Sequence, residues 1–229
     1  MGLAYGQQKI SELRIMSCCA HAGSANRFFS FFARRYHKKY LKKGLEKTQL
    51  QLVAGLTQAG FDKSRLLEIG SGVGYLHQQM IKNGAANALG IDLSDKMLSE
   101  AKKLALSQGL EKQTDYLQGD FLDLAPDIEK ADVTILDKVV CCYPDADSLV
   151  HESVKKTNRV YGLTYPRKNL MTKTAEIIMA AIMKILRSDF RSYVHDPMQI
   201  EQWITEQGFR KLYQNQTLVW LTQVYVKNT

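Results

Sequence analysis

The sequence predicts an α/β protein in which five short parallel strands alternate with helices and an antiparallel pair closes the sheet. Three observations carry this reading. Short apolar runs bounded by turn residues recur between stretches of helical period. A glycine-dense turn, Gly70-Ser71-Gly72-Val73-Gly74, joins the first apolar run to a helix. Near the end of the chain, two β-rich runs are separated only by the polar link Gln214–Thr217, enough for a hairpin and too little for a crossover.

The elements follow in order. Residues 1–25 show no period and read as a loosely ordered lead-in. From Asn26 to Lys43 the period is helical, with Phe28, Phe29, Phe32, Tyr36 and Tyr40 on one face and Arg and Lys on the other. Gly44 caps it, and a second helix spans Glu46–Ala59 up to Gly60. Strands are expected at Arg65–Ile69, Ala88–Asp92, Thr114–Leu117, Asp132–Asp137 and Arg159–Tyr165. Helices are expected at Tyr75–Lys82 and, capped by Ser94 or Asp95, up to Ser107. Thr172–Arg187 reads as an inserted helix roofing a pocket; a helix at Met198–Gln207 leads to strands Phe209–Tyr213 and Leu218–Val226. The division is thus a lead-in at 1–25, a helical lid at 26–60 and one domain at 61–229, with an insertion near 168–195.

Bulk properties narrow the class. The 229 residues suffice for one domain with a sizeable core, and 45% hydrophobic with 24% charged residues is a globular balance. The longest apolar run, Ile177–Leu186, is too short to span a membrane and contains Lys184. No secretory leader pattern opens the sequence, so a cytoplasmic protein is expected. The adjacent pairs Cys18-Cys19 and Cys141-Cys142 lack metal-ribbon spacing and read as free thiols, and no metal is expected. Of the net charge of +8, seven units come from Arg27, Arg34, Arg35, Lys38, Lys39, Lys42 and Lys43, with no acid among them. That face is a solvated one, a lid over an anionic substrate, or a contact for an acidic membrane surface.

The glycine turn is not a phosphate cradle. A Walker loop needs Lys and Ser/Thr after its last glycine, where Tyr75 and Leu76 stand. The dinucleotide turn G-x-G-x-x-G needs a third glycine at the sixth position, where Tyr75 stands. The sequence reads E-x-G-x-G-x-G, with Glu68 inside the strand. A carboxylate there suits a ligand carrying ammonium and hydroxyl groups, and glycines let the backbone approach it closely. Asp92 is placed to take both hydroxyls of a ribose. Asp120 is placed to accept from an adenine amino group, with Phe121 on the ring. Asp137 ends the fourth strand. Ligands of open α/β sheets bind outside the carboxyl ends of the strands, so these four acids form one convergent set.

LLEIGSGVGYL, ALGIDLSDKML, DYLQGDFLDL and ADVTILDKVVCCYPD, in that order, resemble the motifs of the class I S-adenosylmethionine-dependent methyltransferases. The resemblance covers roughly residues 45–229. It implies a Rossmann-like, seven-stranded, mostly parallel sheet with helices on both faces, and S-adenosyl-L-methionine as cofactor with S-adenosyl-L-homocysteine as product. By the same resemblance Gly70, Ser71 and Gly72 flank the methionine end and Asp92 takes the ribose. Leu93 and Met97 line the adenine pocket with Asp120 and Phe121, and Asp137 lies near the methionine moiety.

The methyl acceptor is less directly encoded. Val140–Pro144, with Arg191, Tyr193 and His195 downstream, is similar to the magnesium-protoporphyrin O-methyltransferase branch, although Cys142 stands where that branch has His. Quinone-biosynthesis O-methyltransferases share the layout. The expectation is O-methylation of a small, apolar, acidic molecule beneath Tyr36 and Tyr40, with His195 as base and Tyr143 and Cys142 as further catalytic candidates. Alternatives are an RNA or protein methyltransferase gripping phosphates with the basic helix, a metalloid methyltransferase using the cysteine pairs, and a regulatory protein that only binds the cofactor.

Overall fold

The computed structural model describes residues 21–185, 188 and 190–228. Its elements are α1 (His21–Lys43), α2 (Lys47–Ala59), β1 (Arg65–Ile69), α3 (Tyr75–Lys82), β2 (Asn87–Asp92), α4 (Asp95–Ser107), β3 (Thr114–Gln118), α5 (Phe121–Leu124), β4 (Ala131–Asp137), α6 (Ala146–Lys155), β5 (Thr157–Pro166), α7 (Leu170–Ile185), α8 (Pro197–Thr205), β6 (Phe209–Gln216) and β7 (Trp220–Lys227). The seven-stranded sheet has the order β3-β2-β1-β4-β5-β7-β6. Strands β1 to β5 are parallel; β7 runs antiparallel between β5 and β6. The chain therefore works outward from β1 to β3 and returns to β4 on the other side of β1. That reversal opens a crevice at the carboxyl ends of β1 and β4.

Strand alternation decides which residue meets which layer. Leu67 and Ile69 of β1 join Leu149, Val150, Ile200 and Ile204 from α6 and α8. Leu66 turns to the other face and meets Leu52, Leu56, Leu76 and Met80 from α2 and α3. Burying each of these leucines contributes about 1.5–3 kcal/mol. Glu68 shares the period of Leu66, so the pleat carries a carboxylate into the layer of α3.

Two boundaries differ from expectation. Helix α1 already includes 21–25, within the stretch read as loose, since His21-Ala22-Gly23-Ser24-Ala25 contains no proline to break a turn propagating back from Asn26. Residues 1–20, including Cys18 and Cys19, lie outside the described residues. The polar link Gln214–Thr217 is mostly strand: Gln214, Asn215 and Gln216 pair with Gln223, Thr222 and Leu221. An edge strand exposes one side to water, so polar residues continue it without penalty. The turn itself is closed by Thr217, whose Oγ1 accepts the Trp220 N–H at 2.9 Å.

Helix α2 lies against β5, β6 and β7, and Gly55 is its point of closest approach. A Cβ at Gly55 would lie 2.5 Å from Tyr213 Cδ1 and 2.7 Å from Val224 Cγ2. Gly55→Ala should therefore lower stability by about 1–2 kcal/mol in urea unfolding, the overpacking outweighing roughly 1 kcal/mol of gained helix propensity. A stabilised variant would contradict this packing.

Candidate active site

The turn after β1 is a left-handed relay. Gly70, Gly72 and Gly74 have φ of +67°, +53° and +72°, which glycine alone adopts without a side-chain penalty. A Cβ on Gly70 would meet Val139 Cγ2 at 2.3 Å, whereas one on Gly72 would meet nothing within 4 Å. The Ser71 N–H donates to the Ile91 carbonyl at 2.9 Å, which ties the turn to the end of β2. There Asp92 accepts the Gly72 N–H on Oδ2 and the Ser94 N–H on Oδ1, both at 2.8 Å. Burial raises the Asp92 carboxyl to about 6 despite these two bonds.

Together the turn, the strand ends and α1 enclose a cavity of about 380 Å³, within the range of small-molecule sites. Glu68, Gly70, Ser71, Gly72, Asp92, Leu93, Met97, Asp120, Phe121 and Asp137 border it, as do Tyr36, Tyr40, Cys142 and Tyr143. His195 does not. Its Nε2 lies 3.0 Å from the Tyr143 carbonyl and its ring stacks on Tyr193, so it supports the backbone behind the cavity wall. Burial lowers its pKa, against the pull of the Tyr143 and Val140 carbonyls.

The roof also differs from expectation. It is formed by α1, whose Ala33, Tyr36 and Tyr40 pack with Val73, Tyr75 and Met97, and whose Ser30 meets Ser94 at 2.8 Å. No residue of α7 borders the cavity, and only Thr172 and Met183 of that helix are buried. Ring stacking helps hold α1 there: the Tyr40 and Tyr75 rings lie 4.8 Å apart and 10° from parallel.

Asp137 links the floor of the cavity to its roof. Gln49 Nε2 donates to its Oδ2 at 2.9 Å and to the Tyr40 hydroxyl at 2.9 Å, while Gln49 Oε1 accepts the Glu46 N–H at 3.1 Å. Asp137 Oδ1 is buried without a partner, as is Ser71 Oγ. Burial raises Asp137 to about 6, opposed by Lys138 and Gln49. Beside it, Glu46 takes hydrogen bonds from Lys138 and Lys39; burial pulls its pKa up, but these bonds prevail and hold it low. On the other wall the Tyr143 hydroxyl donates to Asp120 Oδ1 at 2.7 Å, and Leu122 N–H caps the same oxygen at 3.0 Å. The Cys141 thiol beside Cys142, together with burial, raises the Cys142 pKa and keeps it a neutral thiol. Among the described residues no cluster of three His, Cys, Asp or Glu could hold a metal.

Glu68 has a second role that its position in the motif does not disclose. Its Oε2 accepts hydrogen bonds from the His77 ring Nδ1 and the His77 N–H, and His77 Nε2 meets the Tyr116 hydroxyl at 3.0 Å. Gln78 Nε2 donates to the same hydroxyl at 2.7 Å. Sequence reasoning passed over His77, Gln49, Lys138 and Trp220. The first had a signal, because the first turn of the helix after the glycines faces back onto Glu68. Gln49 had one too, standing three residues after Glu46 in capping-box spacing. Removing the imidazole strands a buried carboxylate. His77→Leu should cost about 3–5 kcal/mol in thermal or urea unfolding and His77→Gln distinctly less, since the amide still donates. Equal losses would contradict the pairing.

A family model described as a methyltransferase domain matches residues 61–220. No curated protein matches the sequence significantly. Among solved structures, magnesium protoporphyrin IX methyltransferase (ChlM) from Synechocystis PCC 6803 with bound SAH is similar, with TM-score 0.67 and 19% identity over 89% of this chain and 98% of that one. A DhpI–SAH complex gives TM-score 0.64 and 16% identity over 89% of this chain and 95% of that one. The cyclase SpnF gives TM-score 0.61 and 13% identity over 78% and 80% respectively, so this fold also carries a different reaction. At such identities the structures show the fold, and the family match spans well over half of the chain. The chain belongs to the methyltransferase-domain family and folds as its class I enzymes do.

Proposed function

We propose that the protein uses S-adenosyl-L-methionine to methylate an oxygen of a small, apolar, acidic molecule. The observation that carries the cofactor assignment is the set of acids at the carboxyl ends of β1, β2 and β4, opening on one cavity beside a glycine turn. The open space at Gly72 and the unpartnered Ser71 Oγ and Asp137 Oδ1 await polar partners, as a ligand carrying ammonium and hydroxyl groups would provide. Neighbours of the same fold were crystallised with SAM or SAH, which supports the same reading. When bound, the cofactor supplies an electrophilic methyl group. Gly70, Ser71 and Gly72 would hold its methionine end with Glu68 and Asp137. Asp92 would take the ribose, and Leu93, Met97, Asp120 and Phe121 the adenine.

The acceptor side of the cavity supports an acidic, partly apolar substrate. Phe29, Tyr36, Tyr143 and Trp220 offer apolar surface, and Lys39 and Lys138, which both bond Glu46, place two cations on that wall beside Asp137. Among the described residues no histidine lines the cavity. A carboxylate acceptor fits that arrangement, because it is ionised at neutral pH and needs no base. Residues 26–60 would act as the lid, with Tyr40 and Gln49 coupling it to Asp137. Burial and the Cys141 thiol hold the Cys142 pKa high, which counts against the metalloid alternative.

Two outcomes test this reading. In calorimetry, S-adenosyl-L-methionine should bind the full chain, and Asp92→Ala should weaken it about 30-fold, roughly 2 kcal/mol; absence of binding would overturn the assignment. The pH dependence has a definite sign. Asp92 and Asp137 both sit near 6 in the empty site, above the unfolded carboxyl value, so lowering the pH through about 6 protonates them in the folded protein and stabilises the ligand-free form. Affinity for the cationic cofactor should therefore fall below about pH 6, by up to about tenfold per unit for each of the two acids, and Asp137→Asn should halve that slope.

A further inference from the structure

Helix α7 is built against the usual rule for a surface element. Its 16 residues include only three charges, Lys173, Glu176 and Lys184, yet only Thr172 and Met183 are buried. Ile177 is 70% exposed and Ile185 81%, and Leu170, Ile178 and Ile182 are exposed as well. Contiguous exposed apolar surface on this scale marks an interaction site. At about 24 Å long, the helix falls short of the roughly 20 residues needed to cross a bilayer, and none of the described helices is long and apolar enough to do so.

The neighbouring element carries the complementary signal. Met183 near the C-terminal end of α7 shares an apolar cluster with Phe190, Phe29, Leu93 and Cys142, so this end of α7 meets α1 through Phe29. The inner face of α1 roofs the cavity. Its outer face exposes Arg27, Arg34, Arg35, Lys38 and Lys42 at spacings of three, four and seven, without an acid. Among these cations stand Phe31, 82% exposed, and Leu41, 62% exposed. Apolar wedges set among basic residues suit an interface that is anionic at its surface and apolar just beneath.

We propose that α7 and the outer face of α1 together dock the protein onto an anionic lipid surface, with α7 lying in the interface plane and α1 meeting the headgroups. The chemistry disfavours the other occupants. In an isologous dimer the same patch would face itself and set one basic α1 against another. A nucleic acid would satisfy the cations of α1 and leave the apolar length of α7 in water. An anionic bilayer satisfies both, with each basic residue near the surface strengthening binding about fivefold.

Flotation of the full chain with phosphatidylcholine vesicles, with and without phosphatidylglycerol, tests the proposal independently of any methyl transfer. Binding should require the anionic lipid and weaken as salt is raised. Arg34→Gln and Lys38→Gln should each lower the affinity about fivefold. Ile177→Glu with Ile182→Glu should abolish binding while leaving the melting temperature and S-adenosyl-L-methionine binding unchanged, since both side chains are exposed. Failure to bind anionic vesicles overturns the proposal, as does binding indifferent to the α7 pair. A dimer dissociated by the α7 pair without vesicle binding, or salt-sensitive RNA binding in its place, would assign the surface to those partners instead.

Discussion

Keeping acids at the carboxyl ends of strands that are otherwise apolar is the constraint on which the rest of the site depends. Buried carboxylates are costly unless paired or hydrogen-bonded, and each one here is managed differently. Glu68 is paired with His77 on α3. Asp92 is satisfied by backbone N–H groups from the glycine turn and the start of α4. Asp137 is bridged by Gln49 to the roof and keeps one oxygen unpartnered. These solutions fix the turn, the first turns of α3 and α4, and the seat of α1. The scaffold and the site are therefore largely the same set of bonds.

The same logic explains why the lid sits where it does. Gln49 uses its whole amide, taking the Glu46 N–H and donating to Tyr40 and Asp137. A single side chain thus ties the start of α2 to the roof helix and to the end of β4. Tyr40 is buried beside Asp137, and burial followed by that charge drives its pKa upward, so it stays a neutral hydroxyl under the roof. The roof is thereby tied to the acid floor through one amide.

Much of this was legible in the sequence, for physical reasons. Strand ends and glycine turns are local: Arg65–Ile69 and Tyr75–Lys82 occur where their apolar period and flanking glycine place them. Once the strands are located, the acids at their ends are located too, because a parallel sheet with a reversal in strand order has one crevice. What sequence did not disclose depends on distance in the fold. His195 stands near the cysteine segment in space, yet it faces the Tyr143 carbonyl and not the cavity, and only the path between α7 and α8 decides that. The apolar period of α7 resembles that of a core helix, and periodicity alone does not tell whether anything covers it. Gln49 carries no charge and draws attention only once Asp137 is seen to need a partner.

On the proposed reading, the acids and the glycine turn form a single methyl-donor site. A crystal structure of the protein grown with S-adenosyl-L-homocysteine tests it most directly. The amino-acid end of the ligand should lie at Gly70–Gly72 with its ammonium toward Glu68 and Asp137, the ribose hydroxyls on Asp92, and the adenine beside Leu93 and Phe121. A ligand lying elsewhere, or one leaving Asp92 and Asp137 without contact, would contradict it.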